Sequence, residues 1–149
     1  MLYVNSVYNL ANAYVQLRHF KEALQYFREF FKSIQQLNTP ETREAGFALY
    51  YSAYASMKLK DYEQAFVTFK DAAVVLERQG SAEHIRFSLY YAGKLAVKLA
   101  RFEEAQKLLT DAKELHYNTQ GRSPARKKGS KVSKINKLLK LCRKHLLII

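Results

Sequence analysis

The tetrapeptide Phe20-Lys21-Glu22-Ala23 returns as Tyr62-Glu63-Gln64-Ala65 and again as Phe102-Glu103-Glu104-Ala105, at intervals of 42 and 40 residues. An aromatic residue, two polar residues and an alanine at a near-constant interval constrain the fold more than any bulk property does. A repeat of this length is one supersecondary unit, and such units bury their apolar faces by stacking on one another. Each copy follows one stretch of helical periodicity and opens the next. The chain therefore reads as an all-α array of helical hairpins.

Taken in order, residues 2–18 predict a helix whose buried face is Val7, Leu10, Ala11, Tyr14 and Leu17. Arg18-His19 is a short turn, and residues 20–37 form a second helix with Phe20, Ala23, Leu24, Phe27, Phe31 and Ile34 on its apolar side. So short a connection makes the two helices antiparallel neighbours. Thr39 is the expected cap and Pro40 the first-turn residue of helix three, which runs to about 59. Asp61 is expected to cap helix four, about 62–79, and Gly80 to stop it. Ser81 is the expected cap of helix five, about 82–99, and helix six runs from near Arg101 to about 118. The hairpins are thus 2–37, 40–79 and 82–118 within a repeat domain of residues 1–119.

The repeat extends beyond the tetrapeptide. Ala11, Ala53 and Gly93 share a register, as do Leu17, Leu59 and Leu99, then Ala23, Ala65 and Ala105, then Phe27, Phe69 and Leu109. Small residues let helices approach closely, and large ones are expected to fill the layer between hairpins. These registers resemble the signature positions of the tetratricopeptide repeat (TPR) family across residues 4–118. The interval of 40–42 exceeds the family's usual length of about 34, as in the long-repeat variants of kinesin light chains, spindle-orientation adaptors and bacterial peptide-sensing regulators. The helical-repeat scaffold of proteasome-lid-like subunits is the related alternative. One signature aromatic, Tyr14, is replaced by Ser56 and Ala96 in the later copies. The resemblance implies a right-handed superhelix of three hairpins whose first helices line a concave groove.

On those first helices the sequence places a second, non-core stripe. It comprises Asn5, Asn9, Asn12 and Gln16 in helix one, Phe47, Tyr51, Tyr54 and Lys58 in helix three, and Phe87, Tyr91, Lys94 and Lys98 in helix five. A column of Tyr8, Tyr50 and Tyr90 runs beside it. The expected peptide-binding groove is amide-rich at one end, aromatic in the middle and basic at the other. Asn satisfies main-chain donors and acceptors. Tyr gives apolar area with a polar tip, and Lys94 and Lys98 favour an acidic residue on the ligand. The alternative is that the tyrosine column and the two Phe only pack between adjacent first helices. The family's clamp for a C-terminal carboxylate is not expected. Asn12 fits one clamp position, but Tyr8, Tyr51, Phe87 and Tyr91 stand where Lys, Asn or Arg are required.

The net charge of +12 is unevenly spread. Residues 1–120 hold 15 Lys/Arg against 13 Asp/Glu, whereas residues 121–149 hold 10 Lys/Arg and no acid. Residues 120–130, with Arg126-Lys127-Lys128, read as a basic linker with a resemblance to a nuclear-import patch. Residues 131–149 predict an amphipathic helix. Its apolar face is Val132, Ile135, Leu138, Leu139, Cys142 and Leu146, and Lys134, Lys137, Lys140 and Lys144 lie opposite. This helix is expected to cap the third hairpin. It could instead open a further repeat, or bind nucleic acid, an acidic membrane or a partner helix. The apolar end Leu147-Ile148-Ile149 suggests a docking end or a longer parent protein.

Nucleotide-binding glycine motifs, H-E-x-x-H and C-x-x-C are absent, and His19, His84, His116 and His145 are scattered. A nucleophile built from Cys142 and His145 has no cleft to serve. The expectation is a non-catalytic interaction module with no cofactor and no metal. Its partner would be a protein or peptide in the groove, with an acidic surface engaged by the tail as the alternative. The other alternative is a peptide-sensing domain of a bacterial regulator. One cysteine and no signal peptide point to an intracellular protein, cytoplasmic with the nucleus as alternative.

Overall fold

The computed structural model describes residues 2–38, 42–79, 81–120 and 131–147. Seven helices account for nearly all of them, and no strand occurs among the described residues. They are α1 (Leu2–Gln16), α2 (Phe20–Gln36), α3 (Arg43–Lys58), α4 (Tyr62–Gln79), α5 (Ala82–Lys98), α6 (Phe102–Gln120) and α7 (Lys131–Leu146). Each helix packs on the next in sequence. In addition α3 touches α1, α5 touches α3 and α7 touches α5, whereas no such contact joins α2, α4 and α6 to one another among the described residues. The first helices therefore form the inner wall of the right-handed superhelix and the second helices its outer wall.

The turn inside each hairpin is built the same way three times. Arg18, Lys60 and Ala100 adopt left-handed backbone with φ of 61°, 65° and 58°. The next residue's N–H then reaches back six residues' span, from His19 to Tyr14 O, Asp61 to Ser56 O and Arg101 to Ala96 O, at 2.9, 2.9 and 2.8 Å. This is the Schellman arrangement that satisfies the last carbonyls of a helix. It closes a tight turn without glycine, and the turn residues share the 42- and 40-residue interval of the tetrapeptide.

The apolar interior is continuous through the stack. Ala11 sits with Phe27, Ala53 with Phe69 and Gly93 with Leu109 in equivalent places, all fully or almost fully buried except that Gly93 offers no side chain. A Cβ on Gly93 would lie 2.6 Å from Leu109 Cγ. A branched leucine thus needs glycine opposite it, in the place where a flat phenylalanine ring is matched with alanine in the other two hairpins.

Several local expectations need correction. Leu10 and Leu17 are 41% and 66% exposed. The buried row of α1 is Val4, Val7, Ala11 and Val15. Leu10 corresponds to Ser52 and Ala92, which are buried because a preceding hairpin covers them, and α1 has no such cover in this structure. Phe30 is a core residue of α2 that the periodicity did not single out, while Leu24 and Phe31 are half-buried. Helix three begins at Arg43, capped by Thr42, whose Oγ1 accepts from the Ala45 N–H at 3.2 Å. The expected roles of Thr39, Pro40 and Gly80 lie outside the described residues. Ser81 makes no capping bond to the backbone, and its Oγ lies 3.1 Å from His84 Nδ1 instead. Asp61 Oδ1 accepts the Gln64 N–H at 3.4 Å.

The third hairpin is closed by α7. Ile135, Leu139 and Cys142 are buried in one cluster with Leu95, Ala105, Leu109 and Ala112. The aromatic residue of each tetrapeptide is covered by the helix that follows its hairpin. Phe20 meets Tyr54 edge-on at 6.1 Å, Tyr62 lies under the Lys98 ammonium at 4.4 Å, and Phe102 stacks on His145 at 4.3 Å. In this respect α7 takes the place of a fourth first helix. It buries only one side, and its lysines lie on the other.

Candidate functional site: an aromatic groove on the first helices

Ring-bearing residues of α3 and α5 sit next to one another because each first helix repeats an aromatic residue at the same register and touches its neighbour. Tyr50 packs edge-on against Tyr51 at 5.1 Å and contacts Tyr91 at 6.4 Å. Tyr54 meets Tyr91 at 6.2 Å, Tyr91 stacks on Phe69 at 5.2 Å, and Tyr90 touches Tyr91 at 5.3 Å. The two expected rows, the Tyr51/Tyr54/Tyr91 stripe and the Tyr50/Tyr90 column, are therefore one cluster. All five rings are half-buried.

His84 joins this cluster and was missed by reading helix five alone. Its ring packs on Phe47 at 4.6 Å, Tyr50 at 5.3 Å and Tyr51 at 6.4 Å. It comes from the first turn of α5, where it reaches back over α3. The signal that could have found it is its position opposite Phe47, visible only once the two helices are laid side by side. Burial lowers its pKa below the ordinary 6.5, with Glu83 opposing and Arg43 adding to that shift. Burial raises the Tyr50 hydroxyl strongly, and the neighbouring Tyr91, Tyr51 and Tyr54 add to it. Burial likewise raises Tyr90 and Tyr91. These phenols stay protonated donors at neutral pH.

A shallow cleft of about 280 Å³ opens beside the cluster, lined by Val15, Gln16, Arg18, Phe20, Tyr50, Tyr51 and Tyr54. It lies where the turn between α1 and α2 meets α3. One wall is aromatic and the other carries an amide and a guanidinium.

The amide-rich end differs in detail from a simple stripe. Asn5 and Asn9 are exposed, whereas Asn12 is half-buried. The Asn12 side chain hydrogen-bonds the Tyr8 hydroxyl, and its Oδ1 is buried with no partner among the described residues. Tyr8 packs on Phe30 at 5.5 Å, and burial raises its hydroxyl pKa. At the basic end Lys94 is exposed, but the Lys98 ammonium lies over the Tyr62 ring at 4.4 Å. Lys58 lies over the ring of Tyr54 at 5.2 Å.

Away from the groove, Cys142 is fully buried and its thiol pKa is raised by burial, while His145 is stacked on Phe102. On α7, Lys134, Lys137, Lys140, Arg143 and Lys144 are exposed. None of the five takes part in an ion pair among the described residues. Arg126, Lys127 and Lys128 lie outside the described residues. No described helix is long and apolar enough to cross a membrane.

The helical hairpins, their stacking and the inner wall of first helices define a TPR-like repeat fold, and solved structures share it. The chain aligns over 96% of its length with the crystal structure of BtubC (BKLC) from P. vanneervenii, at a TM-score of 0.76 and 14% identity. It also aligns over 97% of its length with the nearly identical kinesin-light-chain TPR-like repeats from Podosopora anserina, at a TM-score of 0.64 and 15% identity. A variant of that protein aligns over 97% at 0.64 and 16% identity. The chain spans 56% of BtubC and 72% of the Podosopora protein. No family model and no curated protein sequence matches the chain.

Proposed function

We propose that this chain is a non-catalytic scaffold that holds a peptide or partner helix against the first helices of its hairpins. The observation that carries this reading is the cleft-lining aromatic cluster. Tyr50, Tyr51 and Tyr54 are half-buried and border an open concavity. Half-buried tyrosines offer apolar area and a hydrogen-bonding tip with little side-chain entropy to lose. Arg18, Lys58 and Lys94 surround the aromatic surface with positive charge and favour a ligand with acidic residues beside its apolar ones. Asn5 and Asn9 extend the same wall with amides able to pair with a peptide main chain.

The test is selection from a random peptide library on the intact protein, followed by calorimetry of the recovered peptides against Tyr51→Ala and Tyr54→Ala variants. Binding should weaken about tenfold or more in each, since a truncated aromatic anchor costs upwards of about 1–2 kcal/mol. Both variants should stay helical by circular dichroism, with a lowered thermal transition in Tyr54→Ala because it uncovers Phe20, so binding is compared well below that transition. Peptides that bind both variants as tightly as the parent would place the site elsewhere.

A second reading rests on a separate observation, the row of exposed cations on α7 that make no ion pair among the described residues. We infer that this face engages an acidic partner. The apolar side of α7 is spent on Leu95, Leu109 and their neighbours, which leaves it unable to insert into a bilayer in the usual manner of an amphipathic helix.

A further inference from the structure

The last helix docks like a first helix but does not repeat its second face. Ser88, Ala92 and Leu95 are buried on α5, and Ile135, Leu139 and Cys142 are buried on α7 at the same spacing, each 47 residues later. Lys98 covers Tyr62 and His145 covers Phe102, again 47 residues apart. The two helices therefore share one register, and α6 packs on α7 as α4 packs on α5.

By that register Gly93, Ala96 and Val97 of α5 correspond to Lys140, Arg143 and Lys144 of α7. On α5 this is the face closed by α6. Gly93 lies so near Leu109 that a Cβ would stand 2.6 Å from its Cγ, Ala96 is fully buried, and Val97 is half-buried. On α7 all three are long, exposed cations. A helix laid there as α6 is laid on α5 would place Lys140 where a methyl group does not fit and bury charge without a partner. The change of residues thus ends the apolar stacking at α7 and gives this face another use.

The chemistry of the face selects its partner. Lys137, Lys140 and Lys144 stand opposite the buried row, with Lys134 and Arg143 at the flanks, over a rise of about 15 Å. Residues 121–149 contain no acid, and none of these cations makes an ion pair among the described residues. Protein–protein interfaces are depleted in lysine and lean on aromatic anchors, and α7 has no Tyr, Phe or Trp. Surfaces that hold nucleic acid are instead strongly positive and spend most of their contacts on phosphate oxygens.

We propose that the Lys137, Lys140 and Lys144 face of α7 binds the phosphate backbone of nucleic acid without reading its sequence. This rests on the reading of α7 as the site of an acidic partner and names the class of that partner. Ile135, Leu139 and Cys142 anchor the helix, so the cations are presented on backbone that is already ordered.

The test is fluorescence anisotropy of a short mixed-sequence DNA duplex with the full chain over a salt series, beside polyglutamate of equal charge and phosphatidylserine vesicles. The duplex should bind best, and with about four phosphates engaged its affinity should fall about a hundredfold from about 50 to about 200 mM salt. Lys137→Gln, Lys140→Gln and Lys144→Gln combined should weaken binding about tenfold or more and reduce the salt slope by about 3. Cys142 should stay as slow to label in that variant as in the parent, which separates lost binding from a lost fold. Arg126→Gln, Lys127→Gln and Lys128→Gln combined should retain most of the binding. Loss in this second variant with none in the first places the site outside α7 and overturns the proposal. Tighter binding of polyglutamate or of the vesicles than of the duplex overturns the nucleic-acid assignment and leaves the acidic-partner reading standing, whereas binding to none of the three removes both.

Discussion

Arg18, Lys60 and Ala100 hold left-handed backbone at the end of α1, α3 and α5. An L-residue pays about 1 kcal/mol or more for that conformation, because its Cβ crowds the following carbonyl, and glycine does not. The Ala100 side chain is exposed, so little packing opposes its removal. Ala100→Gly should therefore raise stability by about 0.5–1 kcal/mol in chemical denaturation, with no change in peptide binding. His84 gives a second residue-scale expectation. Its folded pKa lies below 6.5 because burial disfavours the imidazolium. Its neutral form is present in both folded and unfolded chains above 6.5, and below that value the unfolded chain binds the proton first. Stability should thus fall as pH drops from about 6.5 toward the folded pKa. His84→Gln should flatten that part of the Tm-against-pH curve. A curve of unchanged slope in the variant would show that other groups carry it. The registers Ala11/Ala53/Gly93 and Phe27/Phe69/Leu109 were legible in the sequence, since each recurs at the tetrapeptide interval, whereas the facing of one register against the other was not. His84 was not, because its ring contacts come from a neighbouring helix and leave no periodic trace in its own.

Boundaries and exposure at the level of whole helices depend on what lies beside them. Leu10 satisfies the helical period of a buried face, yet it is exposed because the face it belongs to is covered only in α3 and α5. Arg86 and His116 show the converse. They stand where the second hairpin has Gly46 and Leu76 and the first has Val4 and Ile34, so the repeat predicts an apolar layer. In this layer Arg86 is 7% exposed. Its Nη1 lies 3.0 Å from His116 Nδ1, its Nε has no hydrogen-bond partner among the described residues, and its guanidinium sits over the Phe87 ring at 5.2 Å. Nothing in the spacing announces that exchange. For α7 the apolar stripe was readable and its docking follows from it. Cys142, at the centre of that stripe, gives a direct measure of how firmly the helix is held. A thiol reagent should modify it only as fast as α7 opens, and Ile135→Ala or Leu139→Ala, each removing a buried side chain at a cost of about 2–5 kcal/mol, should accelerate modification by orders of magnitude. Rapid labelling of the parent protein under native conditions would contradict a docked cap.

Across the whole molecule the three hairpins share one inner wall, and function is best read from what that wall and its two ends present. The aromatic groove combines rings from both α3 and α5, so its shape depends on the angle between successive hairpins as well as on the tyrosines. Binding at α7 and binding in the groove should separate cleanly by ionic strength. A partner held by several lysines loses affinity steeply as salt rises, while a peptide held by Tyr50, Tyr51 and Tyr54 loses little. A titration in which both kinds of ligand respond alike would merge the two surfaces into one. The array was foreseeable because its defining pattern is repeated, and repetition survives divergence at any single copy. The distribution of charge along this array, from an α1 with no ionised side chains to an α7 with only positive ones, has a mechanical consequence. It makes the array an electric dipole, and in the field of an anionic body such a dipole turns before it lands. It arrives with α7 leading, and the neutral end is left facing outward.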